Sequence, residues 1–162
     1  MAIKSRAFTC AIKDEKQIDA LKWKLQNGFA PDYYYILHDK DLKDDGSGEL
    51  KDPHFHFVWG GYKNPLSLNS VADQLGIPAN MIEPVHSMRA ILRYLCHMDQ
   101  PDKFQYDPKE VVSNRDYMVE SREQDSSYFI DEFHDWQEVR AGIMTMEKFI
   151  MSHNISFTTL RK

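Results

Sequence analysis

His54 and His56 stand one residue apart in the apolar run Pro53-His54-Phe55-His56-Phe57-Val58-Trp59, where their types and spacing could do chemistry. In a strand, side chains two apart share a face, roughly 6–7 Å from each other. Both imidazoles can then meet one ion while Phe55, Phe57 and Trp59 pack behind them. A second group, His38-Asp39-Lys40-Asp41, closes the earlier apolar run Asp32–His38. There Tyr34, Ile36 and His38 share one face. With the two strands as neighbours, His38 approaches His54 and His56, and Asp41 turns in from just past the strand end. Asp39 could replace Asp41 as the carboxylate, but its side chain starts on the face opposite His38. Three imidazoles and one carboxylate suit Mn²⁺, Co²⁺, Ni²⁺ or Zn²⁺ better than Mg²⁺, which prefers oxygen ligands. With a coordination position left open, such an ion polarises a phosphate oxygen.

A nucleophile for that phosphate is available downstream. Met88, Ile91, Leu92 and Leu95 form one apolar stripe at helical spacing, and Tyr94 lies about 60° beyond its edge at 100° per residue. The core can hold the ring on one side while the hydroxyl reaches outward. Arg93 is adjacent and able to contact phosphate, and His97, three residues on, falls on a neighbouring part of the helix surface. A tyrosine hydroxyl with an ordinary pKa near 10 needs help to attack, which a metal gives by polarising the phosphate. Tyr106 is the second candidate nucleophile. Taken singly, each residue has a plainer reading: a lone His-x-His pair is most simply strand surface, and most tyrosines only pack. The convergence of His38 and Asp41 on the same side favours a metal site.

Several elements must position these groups. Ser5–Ile12 alternates as a strand, and Asp14 with Gln17 opens a helix whose stripe is Ile18, Leu21 and Leu25, closed by Gly28. Asp32–His38 and His54–Gly61 read as strands, joined by a polar loop carrying Gly46-Ser47-Gly48. Leu68–Leu75 is predicted helical, Met81–His86 extended, and Met88–Met98 helical behind a Ser87 cap. Phe104–Val112 is expected as a last strand, at an edge because of Pro108. This order predicts an α+β sandwich on an antiparallel sheet, of the ferredoxin-like or RNA-recognition type. Residues 1–120 form the expected domain. Residues 121–162 read as a linker, Ser121–Ser127, and a helical appendage with helices at Tyr128–Arg140 and Met146–His153. The lack of a terminating signal after Ile155–Lys162 is expected of a piece of a longer protein.

Composition narrows the class. A chain of 162 residues suits one ordinary domain, and no apolar run approaches the ~20 residues a membrane span needs. The amino terminus has no apolar segment of the secretory kind, and Cys10 and Cys96 stand far apart, as expected of reduced thiols in the cytoplasm. A net charge of −5 argues against non-specific coating of nucleic acid but permits a local basic surface.

Three segments, Ile36-Leu37-His38-Asp39-Lys40-Asp41, Pro53-His54-Phe55-His56-Phe57 and Arg93-Tyr94-Leu95-Cys96-His97, carry a family resemblance, joined by Lys103-Phe104-Gln105-Tyr106-Asp107. Over residues 3–115 the chain resembles the HUH endonuclease (relaxase) domain of rolling-circle plasmid replication initiators, the small Gram-positive plasmid Rep group. The resemblance implies a five-stranded antiparallel sheet and nicking of single-stranded or hairpin DNA at a plasmid origin. It implies His38, Asp41, His54 and His56 as ligands of a divalent metal, Mn²⁺ foremost, and Tyr94 as the nucleophile. The tyrosine would stay on the 5′ phosphate while the free 3′ hydroxyl primes a host polymerase, with a host helicase as a further partner. His97 stands where related viral initiators carry a lysine, which implies a part in phosphate positioning or proton transfer. DNA contacts are expected at Lys51, Lys63, Arg89 and Arg93, and oligomerisation through a carboxy-terminal region. Two other readings stay open: a transposase or mobilisation relaxase with the same chemistry, and a non-catalytic sheet that stacks bases.

Overall fold

Apolar alternation places β2 (Ala7–Ile12), β3 (Asp32–His38) and β4 (His54–Gly60) at the centre of the sheet, each presenting one side chain in two to either face. The computed structural model describes residues 2–122. Its sheet has the strand order β6-β2-β4-β3-β7, with β6 (Ile82–Pro84) and β7 (Val112–Ser113) at the edges and every pairing antiparallel. The expected α+β class and five-stranded antiparallel sheet are therefore the observed ones. A separate short pair joins β1 (Lys4–Ser5) to β5 (Leu66–Ser67).

One face of the sheet packs Phe8, Cys10, Ile12, Tyr35, Phe57 and Trp59 against α1 (Glu15–Gln26) and α2 (Leu68–Leu75). Asp14 caps α1 by accepting the Gln17 N–H at 2.9 Å, and Ile18, Leu21 and Leu25 are its buried stripe, as the spacing predicts. The other face packs Tyr34, Ile36 and Val58 beneath α3 (Met88–Leu95) and α4 (Tyr117–Glu120). The buried Tyr117 hydroxyl donates to the Leu92 carbonyl at 2.7 Å, tying the two helices together. Cys10 and Cys96 are both unpaired and buried, in the cores on opposite faces of the sheet. Gly60 pairs with Ala7 across β2 and β4, where a Cβ would come within 2.6 Å of the Ala7 Cβ. No larger residue fits there without moving the strand.

Three elements differ from expectation. The helix predicted over Met88–Met98 ends at Leu95, because His97 takes a left-handed backbone (φ 56°) and the Met98 N–H turns back to the Arg93 carbonyl. His97 is thereby rolled inward and does not continue the Tyr94 surface of the helix. The strand predicted over Phe104–Val112 is a strand only at Val112–Ser113. Tyr106 is drawn into the core, and Asp107 caps a 3-10 turn at Pro108–Glu110, where proline's missing N–H costs nothing. The extended stretch expected over Met81–His86 pairs only at Ile82–Pro84. The expected helices at Tyr128–Arg140 and Met146–His153, and most of the linker, lie outside the described residues. Among the described residues no helix is long and apolar enough to cross a membrane.

Candidate active site

The register of β3 and β4 builds the cluster. His38 pairs directly with His54, and Ile36 with His56, so the three imidazoles fall on the α3 face at the same end of the sheet. Their ring centroids form a near-regular triangle: 5.4 Å from His38 to His54, 4.8 Å from His38 to His56 and 5.3 Å from His54 to His56. One ring nitrogen from each lies within 4.8 Å of the other two. Asp41 follows in the β3–β4 connection, where its carbonyl accepts the Lys51 N–H at 2.7 Å and Leu42 bridges Leu50. That short ladder brings the carboxylate back over the sheet, with Oδ2 3.3 Å from His38 Nδ1.

Hydrogen bonds to carbonyl oxygens decide the tautomers, because a carbonyl can only accept. His38 Nε2–H donates to Leu95 at 2.8 Å, His54 Nδ1–H to Asp52 at 3.0 Å and His97 Nδ1–H to Phe104 at 2.8 Å. That leaves His38 Nδ1, His54 Nε2 and His97 Nε2 as the nitrogens available to ligate. His38 Nδ1 and His97 Nε2 are buried without a hydrogen-bond partner, as is His56 Nδ1. Burial, reinforced by the neighbouring imidazoles, lowers the His56 pKa from 6.5 to about 3, and burial also lowers that of His38. His38 Nδ1, 3.3 Å from Asp41 Oδ2 and grouped with His54 and His56, offers the nitrogen and oxygen donors that a divalent cation needs. The donor set therefore fits a metal with nitrogen and oxygen ligands, and does not by itself choose the ion.

His97 is fully buried, its ring 4.9 Å from that of His38 and 5.4 Å from that of Tyr94. With His38 and Asp41 it forms a second group of possible ligands, which its position in sequence did not suggest. Tyr94 occupies the last turn of α3, partly buried, with its ring 5.5 Å from His56. It lines two clefts. One, of about 230 Å³, is lined by Asp41, Lys43, Lys51, His54, Tyr94 and Lys103 among others. The second, of about 400 Å³, includes Thr9, Ala11, His56, Glu83, Ile91 and Tyr94. Lys103 Nζ lies 5.7 Å from the centre of the Tyr94 ring. In the sequence this cation belongs to the Lys103–Asp107 segment and to the basic front of the chain.

The expected DNA contacts separate. Lys51 lines the first cleft, bonded to Asp44 at 2.7 Å. Arg93 turns away to a two-pronged ion pair with Asp99, its Nη2 2.6 Å and its Nε 2.8 Å from the carboxylate, and its Nη1 donates to the Ser121 carbonyl at 3.2 Å. Arg89 is exposed in the first turn of α3, about 7–8 Å along the axis from Tyr94. Lys63 is exposed three residues past Gly60, the end of β4 that lies about 20 Å along the strand from His54. Tyr106 is 3 % exposed, with its ring stacked on His38 at 4.5 Å.

Comparison with known proteins agrees with the motifs. The family described as plasmid replication protein, origin binding domain, matches residues 1–120. The chain is 37% identical over 87 residues to the replication protein RepB of Lactiplantibacillus plantarum, covering 52% of this chain and 38% of that one. It is 29% identical over 121 residues to a replication protein of onion yellows phytoplasma, covering 68% of this chain and 30% of the relative. A replication protein of Staphylococcus aureus is 30% identical over 78 residues, 47% of this chain and 37% of its own. The matched regions thus span well under half the length of these relatives.

Proposed function

The chain belongs to the plasmid replication proteins that carry this origin-binding domain, and from that premise we propose that it nicks single-stranded origin DNA through Tyr94. The observation that carries the reading is the placing of Tyr94, its ring 5.5 Å from that of His56, beside the His38–His54–His56 group and on a cleft that Asp41 and His54 also line. His38, Asp41, His54 and His56 would hold the divalent cation, Mn²⁺ first among the candidates. A cation held there supplies Lewis-acid polarisation of a phosphate oxygen.

Tyr94 Oη attacks the phosphorus, the bond from phosphorus to the 3′ oxygen breaks, and the leaving oxygen takes up a proton as the phenol gives one up. One phosphodiester replaces another, so the strand can be rejoined. The 5′ phosphate remains on Tyr94 and the free 3′ hydroxyl is a primer for a host polymerase. Lys51 and Lys103, on the cleft beside Tyr94, counter the phosphate charge. The two clefts that share Tyr94 give a single strand a path across the nucleophile. His97, behind the ligands, acts on the site from within and does not meet the backbone of the DNA.

The test uses labelled single-stranded and hairpin oligonucleotides from the replicon's origin, with and without Mn²⁺, on a denaturing gel. The expected result is a metal-dependent covalent adduct, mapped by mass spectrometry to Tyr94. Binding without any adduct across several metals would overturn the nuclease reading in favour of a non-catalytic DNA-binding sheet.

A further inference from the structure

We propose that Tyr106 is a positioning residue for the metal site, holding Asp41 as a one-oxygen ligand; this rests on the reading of His38, Asp41, His54 and His56 as that site. The Tyr106 hydroxyl donates to Asp41 Oδ1 at 3.0 Å and accepts the Lys40 N–H at 2.9 Å. Its ring lies flat on His38, with centroids 4.5 Å apart and planes 10° from parallel. One side chain thus fixes the plane of an imidazole and the rotation of a carboxylate that belong to the same site. With Oδ1 engaged, Oδ2 is the oxygen left facing His38 Nδ1. The same segment also orients His97, whose Nδ1–H donates to the Phe104 carbonyl. Outer hydrogen bonds of this kind keep ligands in place before the ion arrives.

The geometry also separates Tyr106 from the role of a second nucleophile. Its hydroxyl is buried and committed to Asp41 and the Lys40 backbone, and Tyr106 lines neither of the two clefts that Tyr94 lines.

The experiment compares Mn²⁺ affinity by titration calorimetry, with the Co²⁺ visible spectrum as a second readout, in the full chain and in Tyr106→Phe. The phenylalanine keeps the stack on His38 and removes the hydroxyl alone. Affinity is expected to fall roughly 10–100-fold, with a changed Co²⁺ spectrum. In an Asp41→Ala background the same substitution should have little further effect, because the group it positions is gone. Unchanged affinity, a fall in melting temperature alone, or equal losses in both backgrounds overturns the proposal. If Tyr106→Phe melts too low to titrate, 3-fluorotyrosine at position 106 keeps the hydroxyl and the ring in place and makes the O–H a stronger donor. There a change of twofold or more in affinity supports the proposal, and no change overturns it. A wild-type chain that binds no metal, or binds it equally well as His54→Ala, would instead defeat the metal-site reading on which this one stands.

Discussion

His38 Nδ1 and Asp41 Oδ2 face each other at 3.3 Å, and with Nε2–H donated to the Leu95 carbonyl the neutral ring turns its lone pair to the carboxylate. Two acceptors so close repel unless a cation joins them or the ring takes up a second proton. Burial works against the second choice. The pair is held in place by the backbone on one side and Tyr106 on the other.

Metal should therefore stabilise the folded domain. At a concentration 100 times the dissociation constant, an ion that binds only the folded state adds about 2.7 kcal/mol. Thermal melts with and without Mn²⁺ should separate by several degrees in the wild type. His54→Ala should close most of that gap with little effect on the metal-free melt, since His54 is only half-buried. An equal Mn²⁺ shift in both proteins would remove His54 from the site.

Acid should weaken the metal-free domain for a separate reason. His56 has its folded pKa lowered to about 3 from 6.5, so below 6.5 the unfolded chain binds a proton that the folded chain refuses. Its effect on stability is absent above 6.5 and destabilising as pH falls from there toward 3. The slope approaches about 1.4 kcal/mol per pH unit for each such histidine, and His38 adds in the same direction. Urea melts of the metal-free domain from pH 7 to pH 4 measure it. His56→Gln should flatten the curve, and an unaltered slope would assign the acid sensitivity elsewhere.

Tyr94→Phe separates chemistry from binding. Affinity for the origin strand should stay within about twofold and the melting temperature within a few degrees, because the ring that packs against His56 and His97 is retained. The covalent adduct should disappear entirely. A persistent adduct would place the nucleophile at another tyrosine.

Arg93 and Lys103 should behave oppositely, although sequence position favoured Arg93 as a phosphate contact. Arg93→Ala removes the anchor to Asp99 and Ser121 and should lower the melting temperature by about 5 °C, with a small change in DNA affinity. Lys103→Ala should leave the melt alone and reduce the salt dependence of single-strand binding by about 0.7 in log–log slope. A large loss of DNA affinity in Arg93→Ala with an unmoved melt would restore the guanidinium to the DNA surface.

Much of this site was determined by local sequence. Strand alternation alone puts Phe55, Phe57 and Trp59 on one side of β4 and His54 and His56 on the other, since a strand has only two faces. The parity of Tyr34, Ile36 and His38 follows in the same way, as does the edge of the α3 stripe that places Tyr94. Pairing and reversal belonged to the tertiary structure. The β3–β4 register that sets His38 opposite His54 depends on the loop ladder between them. The left-handed turn at His97 cannot be read from helical spacing, because it is the surrounding core that stabilises a backbone shape a histidine seldom adopts. Tyr106 is the clearest case. Nothing in its neighbours distinguishes a surface strand residue from one that reaches 65 positions back to Asp41. Periodicity assigns a face, whereas a long-range partner is chosen only when the whole chain closes around it.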